Sequence, residues 1–159
     1  MKNIIIFGSG SSARVIFSEL INFKEFKILG FLDNFSKKGK IIETFKNKKF
    51  QNLRNVSEVK KISKKVTGVI GIGDNYTRKK IVNEVYKYDI NFIWETVIAK
   101  NSIISHKVKI GNGTVIMPNV VINTGTNIGN HCLINTSSSI DHDNKFKDYS
   151  STGPGVITS

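Results

Sequence analysis

Isoleucine recurs at every sixth position through the second half of this 159-residue chain. The series runs through Ile98, Ile104, Ile110, Ile116, Ile122, Ile128, Ile134 and Ile140, and Phe146 continues it. Four residues after each of these positions the side chain is mostly small or β-branched, as at Thr114, Val120 and Cys132. A helix would spread positions six apart around its circumference, and a simple strand would alternate every second residue. The period of six therefore predicts a solenoid of short strands and turns.

Three six-residue faces would close one triangular coil and stack the apolar residues in columns. The predicted columns are Ile98, Ile116 and Ile134, then Ile104, Ile122 and Ile140, and finally Ile110, Ile128 and Phe146. Glycines 111, 125 and 129, together with Asn112-Gly113, lie between the apolar positions, where turns are needed. Each coil then buries what its neighbour would expose.

The first half of the chain begins with a different pattern. Residues 3–7, NIIIF, form an apolar run typical of a buried parallel strand, and GSGSSAR follows at once. Apolar residues then recur at helical spacing from Ser11 to Phe23, so this glycine turn opens a helix whose N-terminal amides would hold a phosphate. A second strand, FKILGFLD, ends in Asp33.

The glycine turn matches a known fingerprint. Gly8, Gly10 and Ala13 satisfy the G-x-G-x-x-G/A pattern of nucleotide-binding βαβ units, and Asp33 follows at the expected distance. The glycines also fit a plain tight turn between strand and helix. For Asp33 alone, a helix cap or a solvated loop carboxylate fits as well as a contact to ribose.

A third strand is predicted in VTGVIGIGDN, from Val66, followed by an amphipathic helix that Asn75 would cap. Exits of parallel strands gather on one edge of a sheet, so we expect Gly8, Asp33 and the turn Gly73-Asp74-Asn75 to converge on a ligand crevice. Residues 1–95 are thus predicted to form a small α/β, Rossmann-like domain. Its size suits a mononucleotide or a nucleotide-sugar better than full NAD.

The formal net charge of +12 first raises the question of a nucleic-acid partner. The lysines occur as scattered pairs without interleaved aromatics: Lys37-Lys38, Lys60-Lys61, Lys64-Lys65 and Lys79-Lys80. We therefore expect a solvated basic surface, with binding of a small anionic metabolite as the competing explanation, and no nucleic-acid partner. NIIIF is too short for a membrane span or a signal peptide, which predicts a cytoplasmic protein without a membrane partner. Cys132 is the only cysteine, so we expect a core thiol and no metal site.

Five segments carry a resemblance to a known family: GSGSSAR, FLDN from Phe31, GIGDN followed by Arg78, MPNVVIN from Met117, and NTSSSIDHD from Asn135. With them the whole chain resembles the hexapeptide-repeat sugar acetyltransferases, in particular the bacillosamine-pathway nucleotide-sugar N-acetyltransferases and the sialic acid O-acetyltransferases. The resemblance implies an α/β N-terminal Rossmann-like domain followed, over residues 96–159, by a left-handed parallel β-helix. The handedness comes from the family alone, since ordinary crossovers have the opposite hand.

The resemblance also implies catalytic roles for His142 and Asp143. His142 would be the general base and Asp143 would orient or polarise it, with Asp141 as a lesser candidate for that role. A sugar amine or hydroxyl must lose a proton as it attacks the thioester of acetyl-CoA, and a neutral imidazole suits that task near pH 7. Judged by spacing alone, His142 is equally a solvated corner of the solenoid, as we expect of His106 and His131.

Further implied residues concern the two substrates. A UDP-sugar would lie near Gly8, Gly10, Ser11, Asp33, Gly73, Asp74 and Asn75, and acetyl-CoA, the co-substrate, near Ser151 and Gly155, in a homotrimer. Ser11 and Ser12 replace a glycine and a histidine of the family's turn, and Ser151 replaces a histidine that contacts acetyl-CoA. Family members continue for several coils beyond the position of Ser159, so we expect an incomplete β-helix here. A truncated product and an end covered by a partner both remain open.

The leading function is therefore acetyl-CoA-dependent acetylation of the amino group of a nucleotide-activated amino sugar. O-acetylation of sialic acid or a related sugar is an alternative, since the same base serves both acceptors. A non-catalytic nucleotide-sugar-binding protein, lacking the last coils, is another. An NAD-dependent oxidoreductase is disfavoured, because the six-residue repeat leaves no room for a second cofactor-binding half.

Overall fold

A computed structural model describes residues 1–61 and 66–159 of the chain. The chain separates into two compact units, Met1–Trp94 and Glu95–Ser159. The lysine pair Lys64-Lys65 lies outside the described residues. Over the described ranges, no helix is long and apolar enough to cross a membrane.

Over its described residues, the first unit consists of a five-stranded sheet, two α-helices and a short 3-10 helix. Its elements are β1 (Lys2–Phe7), α1 (Ser11–Leu20), β2 (Phe26–Leu32), β3 (Ile41–Phe45), β4 (Lys48–Arg54), a 3-10 helix (Val56–Lys61), β5 (Thr67–Ile70) and α2 (Asn75–Tyr88). The strand order is β3-β4-β2-β1-β5. All neighbours run parallel except β3 and β4, which form an antiparallel hairpin.

Strand β1, which lies between β2 and β5, runs through the core of this unit. Ile4, Ile5, Ile6 and Phe7 are all fully buried, as expected of a parallel strand covered on both faces. The ring of Phe7 lies 4.8 Å from that of Trp94, centroid to centroid. The single tryptophan of the chain is thus part of this core.

A glycine at the end of β5 brings helix α1 close to the sheet. A Cβ at Gly71 would lie 2.5 Å from the Cα of Ala13, a residue of α1 that is itself fully buried. No side chain fits between them, so this glycine allows the backbones to approach. The third residue of the fingerprint, Ala13, therefore marks the contact between helix and strand exit.

The second unit contains ten strands of two residues each. They are β6 (Val97–Ile98), β7 (Ile103–Ile104), β8 (Lys109–Ile110), β9 (Val115–Ile116), β10 (Val121–Ile122), β11 (Asn127–Ile128), β12 (Leu133–Ile134), β13 (Ser139–Ile140), β14 (Lys145–Phe146) and β15 (Ile157–Thr158). They form three parallel sheets, ordered β15-β13-β10-β7, β14-β11-β8 and β12-β9-β6. Ile104 pairs with Ile122, and Ile122 with Ile140.

The other two sheets pair in the same register, so all three predicted isoleucine columns are confirmed. Ile116, Ile122, Ile134 and Ile140 are each at most 1% exposed, and they form one apolar cluster with the buried thiol of Cys132. The expectation of a core cysteine is therefore confirmed. The recurring isoleucines therefore supply the apolar core that supports this unit.

The corners between the strands share one backbone conformation. A positive φ occurs at every sixth residue: Lys107, Gly113, Asn119, Gly125, His131, Ser137, Asp143, Tyr149 and Gly155. Residues other than glycine rarely adopt this left-handed backbone conformation, yet six of these nine corner residues are not glycine. The six-residue period therefore fixes the corners as well as the strands.

One corner prediction was wrong. His106 is exposed, as expected of a solvated corner, but His131 is only 4% exposed. The ring of Tyr149 stacks on the ring of His131, with centroids 5.3 Å apart and an interplanar angle of 13°. His131 is at a corner, but the corner of the following coil covers it.

Candidate functional site

Three strand exits meet at one edge of the first unit's sheet. Gly8 follows β1 and donates its N–H to the carbonyl oxygen of Leu32 at 2.8 Å, while Gly71, after β5, donates to Phe7 at 2.8 Å. Gly8 has φ +97°, a conformation that favours glycine. A small cavity at this edge is lined by Gly8, Leu32, Asp33, Asn34, Phe35, Val56, Ile72, Thr77 and Ile81. Gly8 and Asp33 are thus brought together as the sequence predicted.

The start of helix α1 lies beside the third exit. A Cβ at Gly73 would lie 3.5 Å from the Oγ of Ser12. Gly10 is the N-cap of α1 and Ser11 its first residue, and the cap makes no side-chain hydrogen bond. Amides at such a helix start can bind an anion.

Asp33 holds the turn and the following loop together. Its Oδ2 accepts a hydrogen bond from Ser9 Oγ at 2.8 Å, and its Oδ1 accepts from the backbone N–H groups of Phe35 at 2.6 Å and Ser36 at 3.0 Å. The carboxylate therefore links the glycine turn after β1 to the loop after β2. This bracing role was not among the roles considered for Asp33 from the sequence.

A buried amide supports the same loop from strand β4. Asn52 is fully buried; its Oδ1 accepts from Asp33 N at 3.1 Å, and its Nδ2 donates to the carbonyl oxygens of Asp33 at 3.0 Å and Ser36 at 2.5 Å. Sequence reasoning missed Asn52. The only available signal was an amide that alternates with the apolar Phe50 in an otherwise lysine-rich segment.

The turn after β5 is fixed by Asp74 and Arg78. Asp74, not Asn75, caps helix α2, because Asp74 Oδ2 accepts from Thr77 N at 2.6 Å. Asn75 is already helical, and its Oδ1 accepts from Arg78, so the predicted cap was wrong by one residue. Hydrogen bonds from Thr77 lower the pKa of Asp74.

The guanidinium of Arg78 lies beneath this turn. Arg78 is 1% exposed, and its Nη1 donates to the carbonyl oxygens of Ile72 at 2.8 Å and Gly73 at 3.0 Å. These contacts hold the GIGDN exit in one conformation. The arginine that marks the family resemblance thus has a structural role at the edge of the predicted crevice.

In the second unit, His142 pairs with Asp143. The distance from His142 Nδ1 to Asp143 Oδ2 is 2.8 Å, and the two side chains are 66% and 76% exposed. The hydrogen bond with Asp143, followed by the negative charges of Asp141 and Asp143, raises the pKa of His142 above its ordinary value. When Nδ1 donates to Asp143, Nε2 is unprotonated and can accept a proton.

Asp141 has a different position from Asp143. Its Oδ1 accepts from Asn123 Nδ2 at 3.0 Å and from the backbone N–H of His142 at 2.8 Å. The Asn123 hydrogen bond is the main cause of the lowered pKa of Asp141, and the backbone bond adds to it. Asp141 therefore anchors the main chain at His142, while Asp143 contacts the imidazole.

The two residues expected near acetyl-CoA lie beyond this pair. Ser151 is half-buried and forms a parallel bridge with Leu133, in a different sheet from β13, which precedes His142. Gly155 is at an exposed corner with φ +66°, and a Cβ there would have nothing within 4 Å. Among the described residues, no group of three or more His, Cys, Asp or Glu side chains is arranged to hold a metal ion.

Comparison with known families tests the identity of the chain. The model of the PglD N-terminal domain family matches residues 3–85. The chain belongs to the PglD N-terminal domain family. The family resemblance drawn from the sequence is thereby confirmed, and the first unit of this PglD-family chain is the α/β domain that the family describes. Among curated protein sequences no match was found.

Solved structures share the fold of this PglD-family chain. The acetyltransferase domain of PglB from Neisseria gonorrhoeae FA1090, in complex with acetyl coenzyme A, is 20% identical, with a TM-score of 0.82 over 99% of this chain and 73% of that chain. A GDP-perosamine N-acetyl transferase variant from Caulobacter crescentus, in complex with CoA and GDP-perosamine, has 20% identity and a TM-score of 0.84 over 99% and 71%. WeeI from Acinetobacter baumannii AYE has 20% identity and a TM-score of 0.77 over 99% and 72%.

Proposed function

We propose that this PglD-family chain is an acetyl-CoA-dependent acetyltransferase that acts on the amino group of a nucleotide-activated amino sugar. The observation that carries the proposal is the hydrogen bond between His142 Nδ1 and Asp143 Oδ2. Two structures of the same fold add support, because one is a complex with acetyl coenzyme A and the other a complex with CoA and GDP-perosamine. The second complex supports the choice of a nucleotide-linked amino sugar as the acceptor.

The two parts of the chain have different roles in the proposed reaction. Residues 1–95 bind the nucleotide-sugar, and residues 96–159 form a left-handed parallel β-helix that carries out acyl transfer. Parallel pairing of Ile104 with Ile122 and of Ile122 with Ile140 supports the helix of strands. The handedness rests on the family resemblance.

The nucleotide-sugar contacts come from the strand exits. The N-terminal amides of α1, from Ser11, receive a phosphate, while Gly8, Gly10 and the turn from Gly73 through Asp74 to Asn75 allow close approach. Asp33 already accepts three hydrogen bonds from the protein. A carboxylate offers about four acceptor sites, so capacity for a ribose hydroxyl remains.

In the reaction, His142 acts as the general base. Its Nε2 removes the proton from the sugar amine as the amine nitrogen bonds to the acetyl carbonyl carbon and the carbon–sulfur bond of the thioester breaks. The sulfur leaves with the bonding electrons as CoA. Asp143 and Asp141 stabilise the imidazolium that forms, since both carboxylates favour the charged histidine.

The assembly is proposed to be a homotrimer in the cytoplasm. His142 and Asp143 are both well exposed within one chain, and a neighbouring subunit would cover them and complete the surface for acetyl-CoA near Ser151 and Gly155. Cys132 is the only cysteine and so has no disulfide partner within the chain, which fits a reducing compartment.

Replacement of His142 by Ala tests the proposal. We expect acetyl transfer to fall by about 100- to 10,000-fold, because general-base catalysis contributes that much. Nucleotide-sugar binding, measured by calorimetry, should be unchanged, and His106→Ala, at another exposed histidine, serves as the matched control. Undiminished turnover in the His142→Ala variant would overturn the assignment of the base.

A further inference from the structure

The corner that precedes His142 by one coil lies directly against the catalytic corner. Ile122 pairs with Ile140, so Asn123, Thr124 and Gly125 follow in register with Asp141, His142 and Asp143. The backbone N–H of Asp143 donates to the carbonyl oxygen of Thr124 at 3.0 Å. Asn123 Nδ2 donates to Asp141 Oδ1 at 3.0 Å. Each residue of the catalytic corner thus has a counterpart beneath it.

Gly125, unlike Asn123 and Thr124, has no side chain, and the Asp143 carboxylate occupies the space beside it. A Cβ at Gly125 would overlap the Oδ1 atom of Asp143. The other oxygen of that carboxylate, Oδ2, makes the hydrogen bond to His142 Nδ1. A side chain at Gly125 would therefore displace the group that contacts the imidazole.

Backbone conformation does not explain this glycine. Gly125 has φ +78°, but the equivalent corners one coil before and one coil after are Lys107 with φ +65° and Asp143 with φ +57°. Side chains are accommodated at both of those corners. The feature peculiar to position 125 is the carboxylate of Asp143 that lies against it.

We propose that Gly125 is a positioning residue, whose lack of a side chain makes room for the Asp143 carboxylate and thereby holds the His142 imidazole. The inference rests on the proposed role of His142. The charged groups that act on this imidazole are Asp141 and Asp143, and the corner beneath contributes the neutral Asn123, Thr124 and Gly125.

The test is an NMR titration of the His142 imidazole in Gly125→Ala, Asp143→Asn and the double variant. We expect Gly125→Ala to lower the pKa of His142 toward its ordinary value, as Asp143→Asn does, and the double variant to match Asp143→Asn alone. A merely structural glycine would leave the His142 pKa unchanged, and independent effects would add in the double variant. Either result would overturn the proposal. Because the titration requires no acetyl transfer, its outcome is separate from that of the enzyme assay.

The folding of the variants provides a second test of the proposed role of Gly125. Gly39 has φ +81°, and a Cβ there would have nothing within 4 Å, so Gly39→Ala measures the cost of the backbone conformation alone. If Gly125→Ala does not fold, the Gly125→Ala/Asp143→Ala double variant is expected to fold, since the obstructing carboxylate is gone. Failure of that double variant, with a folded Gly39→Ala, would show that something other than the Asp143 carboxylate and the backbone conformation requires a glycine at position 125, and would refute the proposed role.

Discussion

Replacement of Asn52 by Ala should loosen the loop beside the predicted nucleotide crevice. The change removes three side-chain hydrogen bonds, to Asp33 N, Asp33 O and Ser36 O. Each such bond contributes a net of about 0.5 to 1.5 kcal/mol to stability. Asp33 N retains a bond of 3.3 Å to the carbonyl oxygen of Arg54. We therefore expect the free energy of unfolding to fall by about 2 to 3 kcal/mol.

Urea denaturation followed by tryptophan fluorescence measures this loss. The only tryptophan, Trp94, is buried in the core of the same unit, so its emission reports unfolding of that unit. Asn22→Ala is the matched control, because Asn22 is exposed and donates to Ser18 O at 3.0 Å. It should change the free energy of unfolding by less than about 0.5 kcal/mol. An equally small change for Asn52→Ala would refute the bracing role of the amide.

Three other changes give further tests. Asp74→Ala should lower the free energy of unfolding at neutral pH, because the α2 cap is lost. Its difference from wild type should shrink as pH falls through the lowered pKa of Asp74, because the protonated carboxyl is a weaker acceptor. Denaturation at several pH values would show this. Ile122→Ala should cost about 2 to 5 kcal/mol by circular dichroism, whereas Ile103→Ala, at a 63% exposed position in the neighbouring strand, should have little effect; equal costs would contradict the column core. Asp143→Asn removes the main cause of the raised His142 pKa, so the rate of acetyl transfer should begin to rise at a lower pH than in wild type. An unchanged pH profile would argue against His142 as the base.

The repeat was predictable because a large apolar side chain recurs at the same position in every six-residue repeat and packs into the core. The isoleucine series alone predicted the three columns, and pairing such as Ile110 with Ile128 reproduces them. The burial of His131 was not predicted, because it depends on a residue one full coil away, Tyr149. Residues 18 apart stack in successive coils, and applying this spacing to the corners as well as to the strands would have paired the rings of His131 and Tyr149.

The crevice was predictable only in part. The glycine fingerprint located the turn at Gly8 and its approach to Asp33, because a tight turn of this kind requires glycine at fixed positions in the sequence. Strands β3 and β4 carry no such sequence pattern, since half of their side chains are exposed and β4 begins with two lysines, so Asn52 was not predicted. Asp74 and Asn75 are both good N-cap residues, and only the geometry distinguishes them.

The measurement that tests the central claim most directly is acetyl transfer from acetyl-CoA to a panel of UDP- and GDP-linked amino sugars, with sialic acid as a hydroxyl acceptor. Release of the CoA thiol and the mass of the sugar product report the reaction independently. The account predicts acetylation of a nucleotide-linked amine, lost in His142→Ala and retained in His106→Ala. Transfer to the hydroxyl acceptor alone would contradict the proposed acceptor, and no transfer by the folded protein in the presence of saturating substrates would contradict the proposed activity.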